Sequence, residues 1–411
     1  MRELVEVFGR IGVLSFGGPA AQISLMHREL VDQRQWLSEA VFLRALSLCM
    51  MLPGPEAMQL ATYAGWRLRG TLGGLVAGLL FVLPGALVIT LLGLIYVAFG
   101  QLPLVEAAFL GIKATVIIIV IQALLRLSAK ALVGPVAWAL AGFSFIAVFA
   151  IGIPYPAVVF AAAVVGAIAL KRTVSPDPLD QPTTARPLPV LLLWLSLWSA
   201  PIVVLALFQQ AFLLDVALFF SKLAIVTFGG AYAVLAYMTQ AIVSDYGWIS
   251  TTQMMDALGL AETTPGPLIL VTQFVALIAG HAQGGIEMAL LAAMTTLWVT
   301  FVPCFLWIFL AGPYVERIAE MPRLAAALDG ITAAVVGVIL NLALWFAIHV
   351  LFDTVRPINN LALPVPELSS LDVLALLLTA LAAVLLLWLQ RGLIETLAVM
   401  ALSGLVLGTL V

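Results

Sequence analysis

The sequence predicts an all-α polytopic membrane protein made of two homologous halves, and three observations carry that prediction. Of 411 residues, 64% are hydrophobic and only 9% are charged, with a mean hydropathy of +1.17; a water-soluble domain does not keep that balance. The stretches 72–100, 131–170, 188–214 and 288–315 hold no charged residue, and each exceeds the roughly 20 apolar residues that cross a bilayer. A glycine- and proline-rich signature also occurs twice at one fixed spacing.

The apolar runs are continuous and rich in Leu, Ala and Gly rather than short and alternating, which excludes an outer-membrane barrel. Cys49 and Cys304 lie 255 residues apart in apolar surroundings and read as small core residues, with no disulfide framework. The net charge of -3 offers no basic face, so nucleic acid is not an expected partner. Arg2, Glu3 and Glu6 open the chain where a cleavable signal would be apolar, and the expected location is the cell inner membrane, multi-pass.

The repeat is read residue by residue. Ser15-Phe16-Gly17-Gly18, Trp36-Leu37-Ser38 and Pro53-Gly54-Pro55 return as Thr227-Phe228-Gly229-Gly230, Trp248-Ile249-Ser250 and Pro265-Gly266-Pro267, always 212 positions later. Beyond them, Pro84, Gly111-Ile112 and Gln122 match Pro303, Gly330-Ile331 and Asn341 at a shift of 219. The expected organisation is a first transporter repeat at 1–170, a cytoplasmic linker at 171–187, and a second repeat at 188–411 that includes one extra helix at 190–208. The linker is the one long polar, proline-rich stretch, which cannot pack as a core.

Glycine costs about 1 kcal/mol and proline about 3 in a helix interior, so Phe16-Gly17-Gly18-Pro19 must break the helical pattern over residues 2–30. Two short helices with the break at the tip are expected there, and a second hairpin over 37–66 around Pro53-Gly54-Pro55. Crossings then follow at 72–99, 104–125, 131–151, 153–170 and 190–208. An odd number of crossings between the copies inverts the second, giving an inverted-topology repeat with re-entrant or broken helices. This topology places 13 Lys or Arg residues in inner loops and only Arg356 outside, as the positive-inside rule requires. A single crossing over 2–30 would instead make the copies parallel, with 11 inside and 3 outside.

An interrupted helix exposes free backbone N–H groups and the positive end of its dipole where it restarts, and such an end binds anions. Gly17, Gly18, Pro53, Gly54, Pro55, Gly229, Gly230, Pro265, Gly266 and Pro267 are therefore expected to shape an anion site where four tips meet. Pro55 and Pro267 are expected to open the second arms, with Gly54 and Gly266 extended before them. The alternative is that these residues only kink helices or let them pack closely. Arg10 and Lys222, again 212 apart, are candidate counter-charges, the alternative being that they snorkel to headgroups. Lys113 and Arg44 lack cationic counterparts in the repeat and are expected to pair with neighbours such as Glu106 or Asp256. Glu56 and Glu262 flank the two Pro-Gly-Pro breaks, as helix caps or as proton carriers. His27, His281 and His349 read as surface or packing residues. There is no nucleophile triad, phosphate loop or metal-ligand cluster, so no enzyme activity, metal or cofactor is expected.

The stretch Phe16-Gly17-Gly18-Pro19-Ala20-Ala21, then Trp36-Leu37, Leu52-Pro53-Gly54-Pro55-Glu56-Ala57, Gln59-Leu60-Ala61 and Gly65-Trp66, resembles the chromate ion transporter family in its long two-domain form. The second signature extends the resemblance over both halves. It implies an inner-membrane carrier that exports chromate, a tetrahedral dianion similar to sulfate, energised by the membrane potential or a proton gradient. Two positions depart from the family pattern: Gln22 stands where His is frequent, and Ala231 occupies the place that Pro19 holds in the first copy. The partners expected are a small oxyanion and membrane lipid, with a homodimer left open. A carrier for sulfate or another oxyanion, a passive anion channel and, against the missing catalytic clusters, a membrane-embedded enzyme are the competing readings.

Overall fold

The computed structural model describes residues 1–170, 187–228, 231–315, 321–357 and 364–408. The break expected at Phe16-Gly17-Gly18-Pro19 falls at 15–17, between α1 (Arg2–Leu14) and α2 (Gly18–His27), whose first two residues are Gly18 and Pro19. Gly17 and Gly18 have φ of 84° and 77°, a left-handed backbone that glycine enters without strain, and α1 and α2 touch. Neither helix has the length to cross a bilayer, which favours the hairpin over a single crossing. Then come α3 (Glu39–Met51), capped by the Ser38 hydroxyl, and α4 (Glu56–Phe99). α4 reverses at Arg69-Gly70, and its arms pack so tightly that a Cβ on Gly65 would lie 2.3 Å from the Gly73 carbonyl oxygen.

The first copy continues through α5 (Pro103–Ala131), α6 (Pro135–Phe149) and α7 (Tyr155–Ala169). The last two are shorter than the expected 131–151 and 153–170. Gly134 and Gly152, with φ of 83° and 74°, and Pro135 and Pro154 cut their ends, leaving 15 residues each, about 22 Å. Of the linker expected at 171–187, residues 171–186 lie outside the described residues and Pro187 opens α8 (Pro187–Leu207), the helix expected at 190–208.

The second copy repeats the plan: α9 (Ala211–Val226), α10 (Ala231–Gln240), α11 (Thr251–Thr263), α12 (Val271–Ala311), α13 (Pro322–Leu351), α14 (Val373–Ala383) and α15 (Leu393–Gly408). α12 reverses at Gly284-Gly285, where Gly285 has φ 69° and ψ -157°; Gly70 in α4 has φ 66° and ψ -161°. A Cβ on Gly280 would lie 2.6 Å from the Met288 carbonyl oxygen, matching the Gly65–Gly73 contact at a shift of 215. The 7-residue insertion between the two sequence blocks is therefore spread along α12.

The chain folds into two compact units, neither of which coincides with a sequence half. Unit 1 takes Met1–Leu94, Arg172–Ala231 and Thr264–Ala325; unit 2 takes Ile95–Lys171, Tyr232–Thr263 and Ala326–Val411. In unit 1, α12 packs on α8 and α9, with Trp194 stacked on Phe305.

In unit 2 the copies exchange partners. A Cβ on Gly111 of α5 would meet the Met400 carbonyl oxygen of α15, and one on Gly404 the Ala107 carbonyl oxygen. Reciprocally, Gly330 of α13 meets Ala162 of α7, and Gly166 meets Ala326. Both pairings run antiparallel. Since α5 and α7 are joined through one intervening helix by short turns, they run the same way. α15 runs against α5 and hence against α7, its counterpart in the first copy, so the two copies are inverted.

Such close helix contacts are the usual use of small residues in membrane bundles. Gly111→Leu should lower the thermal stability of the detergent-solubilised protein by about 1–3 kcal/mol or more. Gly142→Leu, where a Cβ meets nothing within 4 Å, should stay within about 0.5 kcal/mol. Equal melting temperatures for the two variants would contradict the packing described.

Candidate functional site

In unit 1 the helix breaks are joined in pairs. The Gly54 N–H donates to the Thr227 carbonyl at 2.9 Å, and the Gly266 N–H donates to the Ser15 carbonyl at 2.9 Å. Adding 212 to 15 and 54 gives 227 and 266, so the two bonds are one contact made twice, as an approximate two-fold axis demands. The local geometry repeats as well. The Ser15 hydroxyl donates to the Ile11 carbonyl at 2.5 Å and the Thr227 hydroxyl to the Leu223 carbonyl at 2.6 Å, while Phe16 N–H and Phe228 N–H reach back to Leu14 and Val226.

The breaks also rest on proline-containing helices of the opposite copy. A Cβ on Gly54 would lie 3.0 Å from Cys304 Sγ, and one on Gly85 would lie 2.2 Å from the Pro265 carbonyl oxygen. Gly85 and Cys304 follow Pro84 and Pro303 and differ by the 219 shift. Cys304 is thus buried as expected, and it forms part of the seat of a break.

Gln22 fastens the first break to the fourth. Its buried Nε2 donates to the Ser15 carbonyl at 3.2 Å and to the Gly266 carbonyl at 2.6 Å. Gln59 Nε2 donates to the Pro53 carbonyl at 2.7 Å. Gln273, a buried counterpart on α12, donates to Ala86 and Thr90.

Several expectations change at this site. Gly54 and Gly266 take the left-handed φ values of 116° and 89°, and each turns its N–H toward a carbonyl of the other copy. Those two N–H groups are consequently engaged and are not donors for an anion. Pro55 is the N-cap before Glu56, and Pro267 precedes a 3-10 turn at Leu268–Leu270, so each arm opens one residue later than expected. Pro53 is half-buried, Pro55, Pro265 and Pro267 are buried, Gly17 is exposed and Gly18 half-buried. Gly229 and Gly230 lie outside the described residues.

The cations differ from expectation too. Arg10 is not a buried counter-charge: its side chain is 56% exposed and lies 3.6 Å from Glu29, a fully buried carboxylate that Arg34 also holds at 2.6 Å. Lys222 is exposed on α9. Lys113 pairs with Asp256 at 3.3 Å, as its lack of a cationic counterpart suggests. Glu56 is half-buried at the start of α4. Glu262 is buried in unit 2, where it accepts a 2.9 Å bond from the Tyr232 hydroxyl. His27 sits between Glu39 and Asp32, and His349 bonds the Trp345 carbonyl and lies tilted against that ring, in the surface and packing roles expected.

Gln22, Gln59, Gly85 and Cys304 are the site residues that pattern reading missed. Gln22 and Cys304 have no like residue at their repeat positions, and the 214-residue spacing from Gln59 to Gln273 fits neither shift. Ser15 and Thr227 were visible as hydroxyl residues heading both signatures.

A family model described as "Chromate transporter" matches residues 2–167 and 214–409. The chain is 32% identical over 343 residues to the chromate transport protein of Cupriavidus metallidurans, covering 82% of this chain and 80% of that protein. It is 34% identical over 349 residues to that of Pseudomonas aeruginosa, covering 82% and 79%. An uncharacterised transporter of Methanocaldococcus jannaschii is 26% identical over 352 residues, covering 84% and 83%. No solved structure matches this chain.

Gly54→Ala should destabilise the protein by about 1–3 kcal/mol through backbone strain and by contact with Cys304 Sγ. Adding Cys304→Ala should return at least about 0.5 kcal/mol of that loss in a double-mutant cycle of melting curves. Strict additivity would show that the break does not rest on Cys304.

Proposed function

The chain belongs to the chromate transporter family, a family of transporters rather than enzymes, and from that premise we propose that it exports chromate across the inner membrane as a secondary carrier. The observation that supports this most directly is the reciprocal joining of helix breaks in unit 1. A carrier built from inverted copies holds its substrate where discontinuous helices meet, so that rocking of one half against the other opens the same site to either side.

With the Gly54 and Gly266 N–H groups engaged, the donors left for a tetrahedral dianion are the first-turn N–H groups of the restarted helices. On α2 these follow Gly17 and Gly18; on α4 they follow Pro53-Gly54-Pro55, beginning at Glu56. In the second copy they follow Gly229-Gly230 and Pro265-Gly266-Pro267. First-turn N–H groups have no partner within their own helix and carry the positive end of its dipole. Arg10 and Lys222, at repeat-related and exposed positions, act on this reading by drawing the dianion toward the breaks through their field.

Export against a gradient needs an energy source, which we assign to the membrane potential or to protons. Glu56 and Glu262 are the proposed proton carriers. Glu262 suits the role because, among the described residues, its partner is the neutral Tyr232 hydroxyl and no cation. Taking up a proton at a membrane carboxylate that has no counter-charge breaks no ion pair.

Chromate uptake into everted vesicles tests the proposal. Uptake should collapse with a protonophore and be reduced by excess sulfate; passive uptake indifferent to the protonophore would make the protein a channel. Glu56→Gln and Glu262→Gln should flatten the pH dependence of uptake, and an unchanged pH profile in both would remove these carboxylates from the coupling.

A further inference from the structure

We propose that Lys113 and Asp256 form an oxyanion site within unit 2, in which an anion replaces the Asp256 carboxylate at the Lys113 ammonium once Asp256 has taken up a proton. Lys113 lies well inside α5, next to Ile112 and just before the apolar run Val116–Val120 in sequence, and α5 is one of the helices long and apolar enough to span a membrane. Its side chain is 12% exposed and that of Asp256 7%. A charge at such a depth persists when it is paired or when it marks an ion pathway.

The geometry is that of a tethered, loosely held counter-ion. The Tyr96 hydroxyl donates to Asp256 Oδ2 at 2.7 Å, the length of a strong charge-assisted bond. The other oxygen, Oδ1, stands 3.3 Å from Lys113 Nζ, longer than such contacts run. Among the described residues Asp256 is the one carboxylate within 4.0 Å of that ammonium, whose three N–H donors are thus served by a single distant oxygen.

The backbone around the pair is fixed. A Cβ on Gly259 of α11 would lie 2.6 Å from Cγ2 of Ile112, the neighbour of Lys113, and Gly111 is pressed against the Met400 carbonyl. Partner exchange therefore belongs to the side chains. A proton added to Oδ1 makes Asp256 a neutral acid whose Oδ2 still accepts from Tyr96, while Lys113 remains an ammonium ion. The charged groups whose fields reach Asp256 are Lys113 and Glu106 on α5, and its hydroxyl partner is Tyr96 at the end of α4. Glu106 lies two turns before Lys113 on the same face of α5. The lone buried cation that remains is costly, and an entering oxyanion pairs with it, a dianion leaving one negative charge over. The net event is one proton and one anion taken up together.

The repeat argues that the pair is not needed for folding. Its counterparts in the other copy are Thr332 and Arg44, which cannot form an ion pair, yet both copies form the same helices.

The site rests on the reading of the substrate as an oxyanion, and on no particular location for the ion in unit 1. The experiment is equilibrium binding of sulfate, whose charge is constant over the range, to the purified full-length protein from about pH 5.5 to about pH 8. The expected result is wild-type binding that weakens as pH rises. Asp256→Asn, which cannot ionise, should bind at every pH as tightly as the wild type does at the acidic end. Lys113→Gln should bind at least about tenfold more weakly. Because Lys113→Gln leaves Asp256 unpaired and can unfold the protein, the double variant Lys113→Gln/Asp256→Asn is measured beside it. The double variant should fold and still bind at least about tenfold more weakly. A wild-type pH slope retained in Asp256→Asn, or wild-type binding by the double variant, would overturn this site alone. Binding of neither sulfate nor chromate by the wild type at any pH would overturn the oxyanion reading along with it.

Discussion

Two backbone hydrogen bonds, Gly54 N–H to the Thr227 carbonyl and Gly266 N–H to the Ser15 carbonyl, are the constraint from which the rest of unit 1 follows. A helix broken inside a membrane leaves polar backbone groups that cost several kcal/mol each when nothing satisfies them. Here each copy supplies what the other lacks. The exchange requires both glycines in a left-handed backbone, requires Ser15 and Thr227 to tie their hydroxyls back into their own helices, and brings the breaks against Gly85 and Cys304. Gln22 adds a side-chain N–H to both carbonyls of one junction.

This economy limits the electrostatics of the site. The N–H groups that the broken helices would otherwise turn toward a ligand are partly consumed in holding the breaks together. What remains is the helix dipole and the first turn of each restarted arm. The repeat-related cations stand exposed, and Arg10 is tied by Glu29. The scaffold is thus closely two-fold where only backbone and small residues are concerned.

The side-chain chemistry departs from that symmetry. Lys113 and Asp256 face Thr332 and Arg44 as counterparts; Glu262 is matched by Met50 and Glu56 by Leu268 at the 212 shift. Symmetric backbone lets one site be reached from two sides, whereas a bound proton and a bound anion need unlike groups. Charged pairs can differ between the copies without disturbing the fold because the helices are fixed by apolar and glycine contacts, such as Gly111 with Met400 and Gly330 with Ala162.

The helical membrane class, the repeat with its fixed shifts, the positions of the breaks and the pairing of Lys113 with a carboxylate are legible in the sequence. Each of these is written in local composition or spacing: Gly17-Gly18 and Pro53-Gly54-Pro55 cannot continue a helix, and uncharged runs of this length cannot stay in water. What each break touches is a matter of the folded chain. Gly54 and Gly266 read as extended donors because nothing near them in sequence reveals a carbonyl 173 or 251 residues away. Likewise the contact of Gln22 with Gly266 and the seat of Gly54 on Cys304 depend on how inverted copies interlock. A hydrogen bond between distant segments is fixed by packing, and packing leaves no periodicity along the chain from which it can be read.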